Sequence, residues 1–273
     1  MKKIISILII ILLWGNIAIA DQFDFPLNSD VGDKTKYHKS LVSYNFKDYG
    51  VKIVNKSDGH PVRSGNQSIR FEIRDGDCGT EIDGKWDDCT KDRQRHELSS
   101  NRKLIKNNKD HWTFYSIYLP EDFKNLFPLN VGAGQFHQYD KKTKKSRIPV
   151  MKFDFGYSSY QLVPFWTNDN YQLIKIDDMR GKWTDVLINA KFTHKENGYV
   201  KIWINQELKF EYDGKTIQHK SIVPFFKFGI YHTFLSRWKR YVGKEVAAKG
   251  MPTQIIYFDE VRHANKKNKV LPK

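Results

Sequence analysis

The stretch PFFKFGIYHTF, residues Pro224–Phe234, alternates large apolar residues with a lysine, a glycine and a tyrosine. In an extended chain successive side chains point to opposite faces. Phe226, Phe228 and Ile230 therefore share one face, and Lys227, Gly229 and Tyr231 share the other. The first face suits a hydrophobic core. The second carries polar groups with a gap between them, and Gly229 is read as leaving room there for a ligand.

The same period recurs along the chain. Candidate strands are Ser68–Arg74, Arg93–Ser99, Trp112–Leu119, Gly134–Tyr139, Val150–Phe155, Tyr160–Trp166, Trp183–Thr193, Tyr199–Ile204, Glu207–Tyr212, Phe225–Thr233 and Thr253–Arg262. Asn197-Gly198 and Asp213-Gly214 mark tight turns. Short helical turns are expected near Glu121–Phe127 and Arg237–Ala247. Many short strands without long helical periodicity predict an all-β protein, an antiparallel sandwich of two sheets. No Ser/Gly-rich linker or internal repeat divides the chain, so one domain over residues 21–273 is expected. The basic segment 265–273 is expected to be a mobile tail.

Lys2 and Lys3, the apolar run Ile4–Trp14 and the small residues Ala18-Ile19-Ala20 read as a signal peptide over residues 1–20, cleaved after Ala20. The apolar run is shorter than the roughly 18–20 residues that a membrane-spanning helix needs. A secreted or periplasmic protein without stable membrane insertion is the expectation. Export permits a disulfide, and Cys78 and Cys89 are the only cysteines, so a bridge between them would staple one loop. The formal charge of +15 drops by two when Lys2 and Lys3 leave with the leader. Such a field attracts polyanions. Outside the cytoplasm these are acidic polysaccharides rather than nucleic acid.

Alternation also places residues of the other strands. RQRHELS sets Arg93, Arg95, Glu97 and Ser99 on one face, and GQFHQYD does so for Gln135, His137 and Tyr139. Arg70 lies outward between the core-facing Ile69 and Phe71, and Trp203 lies outward between Ile202 and Ile204. Polar groups that bind hydroxyls beside rings that stack on sugars are what a carbohydrate groove requires. Gathered in one cleft, Arg, Gln, His, Lys and Tyr suit β-elimination from a uronic acid. Donors on the sugar carboxylate stabilise the enolate-like charge that develops when the neighbouring carbon loses its proton. A His or Tyr takes that proton, and a Tyr or water protonates the departing glycosidic oxygen.

The segments RFEIRDGD, RHEL, GQFHQ, GKWTDVLINAKF, GYVKIWINQE, KFGIY and IIYFDEVRHA resemble, in this order, polysaccharide lyases of the heparin lyase I and glucuronan lyase type. The resemblance implies a concanavalin A-like jelly roll. It implies His137 as base or carboxylate neutraliser and Tyr231 as acid or combined acid and base. It further implies Lys227, Arg95 and Gln135 as substrate contacts, and an acidic, uronate-containing polysaccharide as substrate. Tyr139, Arg70 and Trp203 are added as substrate-binding candidates from their place on outward faces.

No cofactor is required by this chemistry. Calcium is an open possibility, because DGDCGTEIDGKWDD crowds Asp75, Asp77, Glu81, Asp83, Asp87 and Asp88 into one loop. The favoured role of that loop is to pair with basic groups around it. Zinc-protease, phosphate-loop and Gly-x-Ser-x-Gly motifs are lacking. Two rival functions follow from the same pattern. A lectin for acidic glycans would use the basic cleft without proton transfer. A glycoside hydrolase would need a pair of carboxyl groups, whereas MKFDFGY offers Asp154 alone.

Overall fold

The computed structural model describes residues 24–40, 46–81, 85–167 and 169–272. In chain order the strands are β1 (Asp24–Pro26), β2 (Lys36–Lys39), β3 (Val51–Asn55), β4 (Gln67–Ile73), β5 (Arg93–Ser100), β6 (Asp110–Tyr118), β7 (Asn130–Asp140) and β8 (Lys145–Phe155). They continue with β9 (Ser159–Pro164), β10 (Tyr171–Lys175), β11 (Trp183–Lys191), β12 (Tyr199–Ile204), β13 (Glu207–Asp213), β14 (Ile222–Thr233) and β15 (Gln254–Ala264). Two short helices, α1 (Leu235–Val242) and α2 (Lys244–Ala248), follow β14. The signal peptide expected over residues 1–20 lies outside the described residues.

The strands form two antiparallel sheets. One has eight strands in the order β1-β2-β5-β14-β7-β8-β9-β10, and the other has seven in the order β13-β12-β11-β6-β15-β4-β3. This is the expected two-sheet sandwich. Its core is built by the inward halves of the alternating strands. From β14, Phe226 and Phe228 meet Tyr115, Phe71 and Phe258 of the opposite sheet with ring centroids 5.1–5.9 Å apart. Rings packed edge to face at such distances add to the gain from burial alone.

The quoted stretch lies in β14, inside the eight-stranded sheet, with β5 on one side and β7 on the other. Its pairing with β7 slips between Phe228 and Tyr231. Gly229 sits in that bulge with φ +137. A Cβ built there would stand 2.3 Å from the His96 carbonyl oxygen and 2.8 Å from the Phe71 ring. The glycine is therefore required by close approach to β5 and the core. This corrects the expectation that it makes room for a ligand.

Each strand foreseen from alternation is present. β1, β2, β3 and β10 were not foreseen, and all lie at or beside a sheet edge. β2 shows why: in KYHK only Tyr37 faces the core, so no hydrophobic period is visible. The turn between β12 and β13 uses Asn205 and Gln206, both at positive φ, without the glycine that usually announces it. A helix forms after β14 as expected. None forms over 121–127, where Pro120 and Pro128 bracket the segment and Pro128 disfavours the helical region for Phe127.

The basic tail is packed rather than mobile. Val270 is fully buried against Phe114 and Leu187, beside Trp112, Trp203 and Ala264. An apolar residue that finds a covered seat anchors the polar residues around it, and the run of lysines hid this one.

Candidate active site

β14 lies between β5 and β7, so their outward faces form one surface. Lys227 stands opposite Ser99 on β5 and Gln135 on β7, and Tyr231 stands opposite Arg95 and Gly132. The register thus brings Arg95, Gln135, His137, Lys227 and Tyr231 into one cleft of about 890 Å³. These are five of the residues singled out from sequence.

Glu97 is the hub of this cluster. Its carboxylate accepts from Gln135 Nε2 at 2.6 Å, from Lys227 Nζ at 2.7 Å and from Arg95 Nη1 at 3.4 Å. Arg95 is tied more closely to Asp88, with Nε and Nη2 each 2.7 Å from a carboxylate oxygen. Its guanidinium also lies 4.0 Å from the Tyr231 ring centroid. Both cations are nearly buried, and each has a carboxylate partner. Burial lowers the Lys227 pKa, while Glu97 opposes that effect. Neither group is a free surface charge. Their role is to aim donors into the cleft with the desolvation cost offset by ion pairing.

Asp88 is fully buried and also accepts from Trp86 Nε1 at 2.8 Å. It comes from the acidic loop closed by the Cys78–Cys89 disulfide, which is formed, with Cα atoms 5.2 Å apart. The loop carboxylates turn to different partners. Asp77 accepts from Tyr49 and the Arg74 amide, Asp87 from the Thr90 amide, and Asp88 from Arg95. Among the described residues no group of three such side chains is placed to hold a metal. The described carboxylates do not form a calcium cage, and Asp83 lies outside the described residues.

His137 lines the cleft from β7. Its Nδ1 faces the Gln138 backbone, 2.9 Å from the amide nitrogen and 3.3 Å from the carbonyl oxygen; the shorter contact, with the amide donating to Nδ1, assigns the ring proton to Nε2. Burial, and then the nearby Lys227, lowers its pKa to about 3. It is a neutral donor at any ordinary pH, rather than a group titrating near 6.5. The Tyr231 phenol is pushed up by burial, with Arg95 pulling the other way.

The remaining candidates lie elsewhere. Tyr139 is on the same sheet but outside the cleft lining, with the Arg102 guanidinium 3.8 Å above its ring. Arg70 and Trp203 belong to the seven-stranded sheet, so they are corrected out of the cleft. Arg70 pairs with Glu72. Trp203 stacks on Trp112 at 5.9 Å and helps seat the C-terminal tail. Alternation marked both as outward-facing but did not say on which sheet.

Other groups entered the site unannounced. Glu97 shared a face with Arg95 in the alternation but had no assigned role. His38 and Arg102 line the cleft through β2 and the turn after β5, and no periodic pattern marks either. Trp86 and Asp88 come from the disulfide loop, whose acidic composition was the one available signal.

A cleft of paired cations around a tyrosine and a neutral histidine, on a concanavalin-like sandwich, defines a class of carbohydrate-active protein. Residues 29–262 match the family model described as polysaccharide lyase, and the chain belongs to that family. Its fold is that of solved lyases at low identity. An endo-β-1,4-glucuronan lyase from the fungus Trichoderma reesei superposes with a TM-score of 0.59 at 14% identity, over 90% of this chain and 98% of that one. An alginate lyase A1-II′ gives 0.51 at 13%, over 89% and 94%. A family 7 alginate lyase A1-II′ in complex with product gives 0.50 at 15% identity, again over 89% and 94%. No curated protein matches the chain.

Proposed function

We propose that this lyase cleaves a glucuronate-type polyuronate by β-elimination, leaving an unsaturated uronate at the new chain end. The observation that carries this reading is the hydrogen bond from the Gln138 amide to His137 Nδ1. It makes His137 a donor through Nε2–H, suited to neutralising the sugar carboxylate and unsuited to taking a proton. Proton transfer then falls to Tyr231. In a glucuronate-type unit the proton and the leaving oxygen lie on the same side of the ring. One phenol can remove the first and protonate the second.

In this mechanism the substrate carboxylate meets His137 Nε2–H and the donors of Arg95 and Gln135, held by Asp88 and Glu97. Charge developing on the carboxylate is stabilised by groups already in place. Tyr231 acts as a phenolate, takes the carbon-bound proton, and returns it to the glycosidic oxygen as the bond breaks. The Arg95 guanidinium against its ring favours the phenolate. No metal is needed in this scheme. The named solved relatives act on glucuronan and alginate, both polyuronates. The leader-like sequence of residues 1–20 and the Cys78–Cys89 bridge support action outside the cytoplasm.

The test is incubation with glucuronan and with alginate, followed by ultraviolet absorbance of the conjugated product. Growth of that absorbance on glucuronan supports the reading. New reducing ends without it would mean hydrolysis, and binding without either would mean a lectin.

A further inference from the structure

We infer that alternating guanidinium groups and rings, Arg237, Phe234, Arg93 and Trp86, extend the cleft into an accessory subsite for a further uronate unit of the same polymer. The inference rests on the polyuronate reading of the cleft. The Arg237 guanidinium lies 3.8 Å from the Phe234 ring centroid. Arg93 bridges the next step, 5.9 Å from Phe234 and 5.8 Å from Trp86. Arg93 and Trp86 themselves line the cleft. The ladder therefore runs without a break from the catalytic surface to helix α1.

Charge state separates this ladder from the cluster around Glu97. Arg95 and Lys227 are each neutralised by a buried carboxylate. Among the described residues no salt bridge ties Arg93 or Arg237, and the Arg93 side chain donates to the Lys91 carbonyl. Lys239 and Arg240 are exposed on the same helix. This end of the cleft thus offers unpaired cations to a polyanion, with their guanidinium groups braced on aromatic rings.

The backbone gives an independent reason. Phe234 has φ +65, a left-handed conformation that is unusual for a bulky residue. It is held there by the loop that leads into β5. The Asp92 carbonyl accepts from the Phe234 amide at 2.9 Å, and the Asp92 carboxylate accepts from the Ser236 amide and hydroxyl at 2.8 and 2.7 Å. The result is a ring 36% exposed between two guanidinium groups. Strain kept at such a place, rather than relieved by glycine, is characteristic of binding sites.

The experiment compares the full chain with Phe234→Gly and Arg237→Ala. Glycine suits the left-handed backbone, so the ring is lost without new strain, and thermal unfolding checks that both variants fold. Native electrophoresis is run through gels containing glucuronan, alginate or a neutral glucan. The parent is expected to be retarded by a polyuronate and not by the neutral glucan, and both variants to bind at least about threefold more weakly. In turnover, the KM advantage of polymer over uronate trimer should shrink in both variants. Parent-like retardation and parent-like length dependence in both variants would overturn the subsite, as would a parent that no polyuronate retards. Retardation that depends on Phe234 and Arg237, without unsaturated product, would uphold the subsite and remove the lyase assignment.

Discussion

Arg95 and Asp88 are joined by two hydrogen bonds of 2.7 Å, and both side chains are buried. This pair connects the disulfide loop to the cleft, because the same guanidinium lies against Tyr231. A bidentate pair fixes orientation as well as charge. The loop therefore acts on the site by positioning Arg95, and the bridge between Cys78 and Cys89 closes the loop on itself.

Asp88→Asn should lower both stability and turnover. It leaves the buried Arg95 with only the more distant Glu97 carboxylate, so the cost should approach the roughly 3–5 kcal/mol of a broken buried pair. Urea unfolding measures the first effect and steady-state kinetics the second. A variant that is destabilised yet turns over at the parent kcat would detach the loop from catalysis.

Tyr231→Phe removes the phenol and keeps the ring under Arg95. Turnover should fall roughly 10²–10⁴-fold, the usual worth of a positioned proton-transfer group. Polyuronate binding should persist. Because the phenol pKa is raised, the parent rate should climb as pH rises through the alkaline range. A rate that is flat or declining there would contradict a phenolate base.

His137→Gln retains a neutral donor, whereas His137→Ala does not. The glutamine variant should keep more activity than the alanine variant. The parent should show no acidic limb near pH 6.5, since the His137 pKa lies at about 3. An acidic limb near 6.5 that vanishes in His137→Gln would restore His137 as the base.

Stability should decline as pH falls below about 6.5, for a reason outside the cleft. His111 and His263 are lowered to about 3 and His232 to about 4, each chiefly by burial. Between 6.5 and those values the unfolded chain binds protons that the folded chain refuses. The stabilisation is complete above the unfolded value and is lost on acidification. Each titrating histidine contributes on the order of 1.4 kcal/mol per pH unit across that window. Unfolding midpoints at pH 7.5 and 5 test this, and equal midpoints would contradict it.

Gly229→Ala should destabilise the sandwich by about 2–3 kcal/mol or prevent folding, through overpacking against His96 and Phe71 at a positive φ. Parent-like stability would show that the bulge has freedom to shift.

Alternation within single strands was enough to define the all-β class, the foreseen strands and the polar faces carrying Arg95, Gln135, His137, Lys227 and Tyr231. Side-chain direction in a strand is a local property with period two, so it can be read without knowing any neighbour. What lies beside each face is set by pairing between distant segments, and no local pattern encodes that. Arg70 and Trp203 alternate as regularly as Arg95 and Tyr231, yet sheet order puts them on the opposite side of the molecule. Only that order brings β5, β14 and β7 together, places His38 at the cleft through the strand next to the sheet edge, and turns Asp88 onto Arg95. Even the tautomer of His137 and the crowding at Gly229 follow from contacts made after the chain has folded. The sequence by itself determined which residues could do chemistry. The tertiary structure alone decided which of them meet.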